Sequence, residues 1–270
     1  MNVLNFFANQ STSYLHGGGA QGTEHLLRQL NLSGRERLLE IGVGTGATLV
    51  ALKSTWPDLS IAGVEVNPRM VQKAKARLRF CGLPALPIHL LASEANYPFP
   101  DQHFDRIVVE SVLAIQSLPE LSKLFTEIER VLHPQGSLVF NETLWLPNQD
   151  VEQIRAFNQA CLKHFGIIQS NDDLIDVTAW KNWLDQRGWK ITYCEKIEDC
   201  ARDTDRRGSN RRSEWFTRLG KLSSRLSQGH RQEAKELQLL EKQLFHQYPL
   251  RLNAYLFVVQ RLDFGRDQRS

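Results

Sequence analysis

The sequence predicts an α/β fold in which a parallel sheet is covered by helices on both faces. Apolar segments of strand length alternate with segments of helical periodicity in five successive repeats across residues 37–142. Parallel strands need crossover connections, which the predicted helices between strands supply. A glycine-rich turn, Gly42–Gly46, lies between the first strand and the first of these helices and fits the same plan.

Each strand has its own signal in the sequence. The first, over residues 37–43, is an apolar run that contains one acid and ends in glycines, as expected of a buried parallel strand. A turn-rich segment, PFPDQ, precedes the fourth strand over residues 104–110. The other three are predicted over residues 60–66, 88–92 and 137–142.

Helices fill the connections between these strands. The helix over residues 118–132 is the clearest, because its apolar residues recur at helical spacing. Two more are predicted over residues 47–55 and 68–80, and another begins near Thr23, before the first strand. Beyond Pro147 we predict helices near 150–165 and 178–187, a strand over 190–197, a polar helical region over 198–250 and a final strand over 253–260.

Composition excludes several classes of protein. The 270 residues fit one elaborated α/β domain. With 41% hydrophobic and 23% charged residues and a mean hydropathy of −0.36, the chain is neither disordered nor collagen-like. Lys and Arg number 33 against 30 Asp and Glu, and the net charge of +3 argues against a dedicated nucleic-acid coat or a polybasic membrane anchor.

The cysteines and the apolar runs bear on location. Cys81, Cys161, Cys194 and Cys200 form no C-x-x-C pair and have no paired histidine spacing, so we expect reduced thiols and no metal site. No stretch reaches 18 apolar residues, and the first ten residues carry no basic leader. The sequence therefore predicts a cytoplasmic protein.

The glycine turn is the strongest candidate for a binding site. Its glycines let a ligand approach the backbone at a helix N-terminus. The turn also fits G-x-G-x-x-A, ending at Ala47, so a nicotinamide or flavin dinucleotide remains an alternative ligand. Glu40, two residues before the first glycine, would repel a pyrophosphate but would suit a cationic ligand. Glu65 ends the second strand, 19 residues after Gly46, where it could bind the hydroxyls of a ribose in either cofactor.

Four further segments match the order and spacing of a known family across roughly residues 32–145. They are LLEIGVGTGATL, VEVNPRMVQKAK, NYPFPDQHFDRIVVESVL and EIERVLHPQGSLVF. The chain resembles a class I S-adenosylmethionine-dependent methyltransferase of the small-molecule type, and HGGGAQGTEHLL resembles the helix that precedes the sheet in a subset of these enzymes. The resemblance implies a Rossmann-like three-layer sandwich, a seven-stranded mostly parallel sheet with an antiparallel last strand, a helical lid insertion, and S-adenosyl-L-methionine as cofactor.

The resemblance also assigns cofactor contacts. Glu40 would line the methionine and ribose end of the cofactor together with Gly42, Gly44 and Gly46. Glu65 would hold the ribose hydroxyls.

Other cofactor contacts lie further along the chain. Asn67 would sit near the adenine. Where the family often has an acid that contacts the adenine amino group, this chain has Ser93, with Glu94 one position later, and both are candidates. Tyr14, in the N-terminal segment, and Glu110, after the fourth strand, complete the set.

Methyl transfer from a sulfonium asks the protein chiefly to align the nucleophile and, where needed, to remove its proton. The candidate catalytic residues are Glu110 and His16. Glu110 could be a general base, an orienting acceptor or only a strand-end acid. His16 belongs to TSYLHGGG, which is either a lid over the cofactor or a surface glycine loop. The sequence ESVL after the fourth strand lacks the N-P-P-Y type of motif found in nucleobase amino-methyltransferases.

We divide the chain into an N-terminal lid and helix (1–31), a catalytic core (32–197 with 253–262) and a helical insertion over the active site (198–252). Residues 202–231 hold nine Lys and Arg against three Asp and Glu. Trp215, Phe216, Leu219, Leu222 and Leu226 recur there at helical spacing. This apolar stripe could pack on the core as a lid, face a membrane or lipid-like substrate, or belong to an RNA-binding arm. We expect the lid.

The sequence thus predicts methyl transfer to a small-molecule or lipid-like acceptor through an O, N or C nucleophile. Peripheral membrane contact stays open. Nucleic acid is disfavoured, because RRGSNRR lacks interleaved aromatic residues. Alternatives are an RNA methyltransferase, a non-catalytic binding scaffold with the same fold, and, more remotely, an NAD-binding protein.

Overall fold

The computed structural model describes residues 3–13, 18–92, 96–197 and 210–262. Its sheet contains seven strands, whose order across the sheet is β3-β2-β1-β4-β5-β7-β6. The strands are β1 (Arg37–Ile41), β2 (Ser60–Glu65), β3 (Ile88–Leu90), β4 (Phe104–Glu110), β5 (Leu132–Trp145), β6 (Trp189–Lys196) and β7 (Leu252–Arg261).

The strand directions agree with the prediction. Strands β1 to β5 pair in parallel, whereas β7 runs antiparallel to both β5 and β6. The mostly parallel sheet with an antiparallel last strand is therefore confirmed. Its parallel strands end at one edge, where ligands bind in open α/β sheets.

Nine helices occur in the part of the chain that the structure describes. They are α1 (Val3–Asn9), α2 (Gly19–Gln29), α3 (Ala47–Thr55), α4 (Pro68–Phe80), α5 (Leu118–Val131), α6 (Val151–Phe165), α7 (Val177–Gln186), α8 (Arg211–Leu226) and α9 (Gln228–Gln247). Residues of α2, α3 and α4 share one apolar cluster with the sheet, and residues of α5 and α7 share another. Two helical layers therefore enclose the sheet, which confirms the three-layer sandwich.

The structure differs from the predicted elements at a few places. Strand β5 begins at Leu132, because this residue pairs with Phe104 before the polar segment 133–136. Helix α1 was not predicted, since seven residues give too little periodicity to recognise. Most other boundaries agree within one or two residues.

Helices α6 and α9 join a smaller apolar cluster at the end of β5. Trp145 of β5 packs there with Phe157 of α6 and Leu244 of α9. The cluster fixes the C-terminal end of the helical insertion next to the sheet. None of the helices in the described ranges is long and apolar enough to cross a membrane.

Candidate functional site

Three glutamates lie near the carboxyl ends of neighbouring strands. Glu40 of β1 is in register with Gly63 of β2 and with Val108 of β4. Because side chains alternate between the faces of a sheet, Glu65 and Glu110, two residues beyond those partners, lie on the same face as Glu40. This is the face that α2, α3 and α4 cover. The strand register therefore places three predicted site residues together.

Glu40 is the most unusual of the three. Its side chain is almost completely buried, and its Oε2 atom has no hydrogen-bond partner among the described residues. Burial, followed by the charges of Glu110 and Glu65, raises the pKa of Glu40 well above its usual range. A buried carboxyl oxygen without a hydrogen-bond partner destabilises the folded protein unless a ligand supplies that partner.

Glu65 is held by the backbone around it. Its carboxylate accepts hydrogen bonds from the amides of Gly44, Val66 and Asn67, each at 2.9 Å. Burial raises the pKa of Glu65, and these three bonds oppose that shift. The bond from Gly44 joins the end of β2 to the glycine turn after β1.

The glycine turn has the geometry that requires glycine. Gly42, Gly44 and Gly46 all have positive φ, at 76°, 51° and 80°. A Cβ atom on Gly46 would lie 2.9 Å from the Cα atom of Ala74 in α4, whereas one on Gly44 would meet nothing closer than 4.0 Å among the described atoms. Gly46 thus allows close packing of two helices, and Gly44 leaves open space beside the backbone.

Replacing Gly46 with alanine is expected to lower the free energy of unfolding by about 2–3 kcal/mol, because it adds left-handed strain to a backbone clash. Chemical denaturation measures the effect. Gly19→Ala is the matched control, since Gly19 also has positive φ but a Cβ atom there meets nothing within 4 Å. Equal losses in the two variants would contradict the packing argument.

Glu110 is a junction between three elements. Its carboxylate accepts hydrogen bonds from Thr48 Oγ1 in α3 at 2.6 Å, from Thr23 Oγ1 in α2 at 2.9 Å and from Asn141 Nδ2 in β5 at 3.0 Å. These contacts fix the Glu110 carboxylate between α2, α3 and β5, and a role in catalysis or cofactor binding stays a prediction. Asn141 follows from its place near the end of the fifth predicted strand, whereas no sequence pattern points to the two threonines, which reach Glu110 only in the folded protein.

Asn67 has a local structural role. Its Oδ1 atom accepts hydrogen bonds from the amides of Arg69 and Met70 and caps the N-terminus of α4. Its Nδ2 atom donates to Asn5 Oδ1, which brings α1 beside the end of β2. Contact with an adenine stays a prediction.

Four other predicted site residues lie outside the described residues. They are Tyr14, His16, Ser93 and Glu94. The acidic pair Glu198-Asp199, which follows the predicted strand 190–197 and is a secondary candidate for binding a polar or cationic acceptor, also lies outside them.

Arg77 of α4 is a buried residue that the sequence analysis missed. Its Nε atom donates to the carbonyl oxygen of Thr45 in the glycine turn at 2.8 Å, and its Nη2 atom donates to that of Ser11 at 2.7 Å. Its Nη1 atom donates to Ser213 Oγ in α8 at 2.9 Å. One guanidinium therefore joins the turn, the N-terminal segment and the insertion. The sequence feature that could have identified Arg77 is its place on the apolar face of α4, one position before Leu78.

Helix α8 faces the body of the protein with its small polar residues. Ser213 and Ser224 are buried, and Gly220 lies so close to the N-terminal segment that a Cβ atom would be 2.6 Å from the carbonyl oxygen of Gln10. Phe216 is half-buried, with its ring 4.9 Å from the Arg77 guanidinium. The other four residues of the predicted stripe are exposed. The expectation that the stripe packs on the core was therefore wrong for those four.

Comparison with known proteins agrees with this geometry. Residues 39–140 match the family model described as a methyltransferase domain, and this match includes the glycine turn, Glu40, Glu65 and Glu110. This match agrees with the methyltransferase resemblance found in the sequence motifs.

Two curated methyltransferases and one solved structure illustrate the similarity. The chain is 28% identical to malonyl-[acyl-carrier protein] O-methyltransferase of Paenibacillus sp. over 62% of this chain and 59% of that protein. It is 30% identical to demethylmenaquinone methyltransferase of Tropheryma whipplei over 43% and 45%. The chain thus spans about half the length of these two relatives.

The solved structure is an S-adenosylmethionine-dependent methyltransferase from Thiobacillus denitrificans in complex with S-adenosyl-L-homocysteine. It has a TM-score of 0.60 and 17% identity, and the alignment covers 95% of this chain and 98% of that one. At this identity the likeness concerns the fold, and it extends over both the catalytic core and the insertion.

The residues of this domain suit the cofactor. S-Adenosylmethionine carries a sulfonium and an ammonium group, and a buried carboxyl group without a partner can be completed by such a cation. Glu40 provides a buried carboxyl oxygen that has no partner among the described residues, and Gly44, four residues later, leaves open space beside the backbone of the turn. An ionised Glu40 would repel the pyrophosphate of a dinucleotide, whereas Glu65 would suit the ribose of either cofactor.

Proposed function

We propose that this protein transfers a methyl group from S-adenosylmethionine to a small-molecule or lipid-like acceptor by direct displacement. The observation that carries the proposal is the buried carboxyl of Glu40, whose Oε2 atom has no hydrogen-bond partner among the described residues, two residues before the open glycine turn. The cofactor supplies an electrophilic methyl group on a positively charged sulfur, so the protein need not generate the electrophile.

Glu40 and Glu65 would hold the cofactor by different interactions. Glu40 faces the positive charge of the methionine end, which favours its ionised form. Glu65 already accepts three backbone hydrogen bonds, which fix its carboxylate, and its remaining acceptor capacity would serve the ribose hydroxyls. This arrangement orients the cofactor without a metal or a covalent intermediate.

We assign Glu110 a positioning role. Its carboxylate already accepts three side-chain hydrogen bonds from α2, α3 and β5. It therefore holds α2 and α3 against the end of β4. The carboxyl group also keeps negative charge near Glu40, which favours a cationic ligand.

The two curated relatives support the acceptor class. One acts on malonyl-[acyl-carrier protein] and the other on demethylmenaquinone, as their names state. We infer an acceptor of similar chemistry, a small or lipid-like molecule, for this chain. We also propose a cytoplasmic location, which the free thiols of Cys81, Cys161 and Cys194 support because such thiols are typical of reducing compartments.

Glu65→Ala is expected to weaken cofactor binding by about 1.5–2.5 kcal/mol, or roughly 10- to 70-fold in Kd, through loss of charge-assisted hydrogen bonds. Calorimetric titration with S-adenosylhomocysteine measures the change. The matched control is Glu36→Ala, which removes a carboxylate that also accepts backbone amide bonds but lies just before β1, at the opposite edge of the sheet. Unchanged affinity in Glu65→Ala would refute the ribose assignment.

A transfer assay tests the proposed reaction itself. A cell extract is incubated with the purified protein and S-adenosylmethionine labelled on the methyl group, and is then separated into lipid, small-molecule, protein and RNA fractions. We expect label in the lipid or small-molecule fraction, and much less with Glu65→Ala. Label confined to RNA would support the RNA methyltransferase instead, and no label despite cofactor binding would support a non-catalytic scaffold.

A further inference from the structure

Helix α8 is amphipathic, but it turns its small polar residues toward the protein and its apolar residues outward. Residues Ser213, Thr217, Gly220 and Ser224 share one face at spacings of four, three and four, and this face turns toward the protein. The apolar stripe has the same spacings on the opposite face. Its members, with exposed fractions of 56%, 48%, 55% and 77%, are Trp215, Leu219, Leu222 and Leu226.

The orientation of α8 is fixed by specific contacts. Gly220 packs against Gln10 and Ser11, and a side chain there would collide with both. Arg77 donates hydrogen bonds to Ser213 and Thr217 on the same inner face. Turning the stripe inward would break all of these contacts. The stripe is therefore an outward surface of the folded protein, large enough to need an explanation.

Positive charge lies next to the stripe. Helix α8 has five basic residues and one acid, Glu214. Three of the basic residues, Arg218, Lys221 and Arg225, lie on one flank of the stripe and are exposed. The guanidinium of Arg218 is 5.5 Å from the ring centroid of Trp215.

A cavity of about 270 Å³ opens between α8 and α9 beside this flank. Lys221 and Arg225 of α8 line it together with His230 and Arg231 of α9, and none of the described residues that line it is acidic. The Nδ1 atom of His230 is buried there and has no hydrogen-bond partner among the described residues. The cavity thus combines cationic groups with room for an anionic group.

We propose that α8 docks this protein on membranes that contain anionic phospholipids. The four stripe residues enter the boundary of the acyl chains, while Lys221, Arg225 and Arg231 face the lipid phosphates. An apolar face bordered by Lys and Arg with a tryptophan at one end is the pattern of an interfacial helix. A second copy of this chain is a poorer occupant, because pairing two α8 surfaces would bring like charges together.

This docking is independent of the proposed methyl transfer, because it concerns a surface away from the three glutamates. Its consequence for the enzyme would be access to acceptors dissolved in the membrane. Arg77 links α8 to the glycine turn, so a docked α8 would stay in contact with the cofactor site.

Vesicle sedimentation of the full chain tests the proposal. We expect binding to vesicles of phosphatidylcholine mixed with phosphatidylglycerol, weaker binding to phosphatidylcholine alone, and loss of the difference at high salt. Leu222→Ser with Leu226→Ser should weaken binding at least about tenfold, because two leucines no longer leave water. The matched control is Leu162→Ser with Leu262→Ser, two leucines outside α8 that are 55% and 43% exposed.

A second pair of variants tests the charges. Lys221→Gln with Arg225→Gln should weaken binding to the anionic vesicles about fivefold per residue and leave binding to phosphatidylcholine unchanged. Lys163→Gln with Lys190→Gln, at exposed positions outside α8, is the control. All of these substitutions are at exposed positions, so folding should be preserved, and circular dichroism checks it.

Three results would overturn the proposal. The first is failure to bind anionic vesicles at low salt. The second is a stable dimer in sedimentation velocity that Leu222→Ser with Leu226→Ser dissociates, which would make the stripe a self-association surface. The third is tighter binding to an RNA oligonucleotide than to the vesicles at the same salt. None of these measurements depends on turnover, so failure of methyl transfer would leave the docking result intact.

Discussion

Replacing Arg77 with methionine is expected to lower the free energy of unfolding by about 3–5 kcal/mol. Methionine keeps much of the side-chain volume but removes every donor. The carbonyl oxygens of Ser11 and Thr45 and the hydroxyl of Ser213 would then lose their partner in a fully buried place. Each buried acceptor without a partner costs about 1–3 kcal/mol.

Chemical denaturation of Arg77→Met measures this loss. Arg79→Met is the control on the same helix, because Arg79 is exposed and should change stability by about 0.5 kcal/mol or less. Arg77→Lys should be intermediate, since lysine keeps the charge but cannot donate in the planar fork of a guanidinium. Cofactor affinity should fall in both Arg77 variants, because Thr45 belongs to the glycine turn. If Arg77→Met lowers the free energy of unfolding by less than about 1 kcal/mol, the hydrogen bonds of Arg77 do not hold the glycine turn, the N-terminal segment and α8 together.

Replacing Glu40 with glutamine is expected to remove a pH-dependent loss of stability and to weaken cofactor binding. The pKa of Glu40 is raised in the folded protein, so between the unfolded and folded pKa values the folded state binds more protons than the unfolded state. Stability of the wild type then falls as pH rises through that window, by up to about 1.4 kcal/mol per pH unit from this group. Glutamine does not titrate, and the variant should lack this component.

Cofactor affinity of the wild type should rise with pH over the range in which its stability falls. A positively charged cofactor favours the ionised form of Glu40, so binding releases a proton and affinity of the wild type rises with pH across the same window. Glu40→Gln removes the charge and should weaken binding of S-adenosylmethionine by about 3 kcal/mol, or roughly 150-fold. Its affinity should also vary less with pH.

Thermal unfolding between pH 5 and pH 9, with and without cofactor, checks both effects. Glu142→Gln is a useful contrast, because that buried carboxylate accepts amide hydrogen bonds from Val112 and Leu113 and its loss should destabilise the protein instead. Identical pH slopes for wild type and Glu40→Gln would contradict a raised pKa of Glu40 in the free protein.

The fold could be predicted because the strand and helix patterns along the chain are those that a parallel α/β sheet requires. The alternation of strands and helices predicted the parallel sheet, and the four motifs implied its antiparallel last strand. Both are confirmed. The positions of Glu40, Glu65 and Glu110 at one edge also follow from the strand ends alone, since parallel strands end together.

What could not be predicted depends on contacts between distant residues. Periodicity identified the stripe of α8 but not its direction, because an amphipathic pattern does not say which neighbour the helix meets. Here Gly220 and Arg77 decide the direction, by close packing and by hydrogen bonds to the polar face. The hydroxyl donors to Glu110 could not be found either, since Thr23 and Thr48 lie 87 and 62 residues away in sequence.

Calorimetric titration of the wild-type chain with S-adenosylmethionine and S-adenosylhomocysteine tests the central claim most directly. The three glutamates and the glycine turn predict one bound molecule per chain, weakened in both Glu40→Gln and Glu65→Ala but not in Glu36→Ala. Absence of binding for both compounds, or a preference for NAD(H) over S-adenosylmethionine, would contradict the claim.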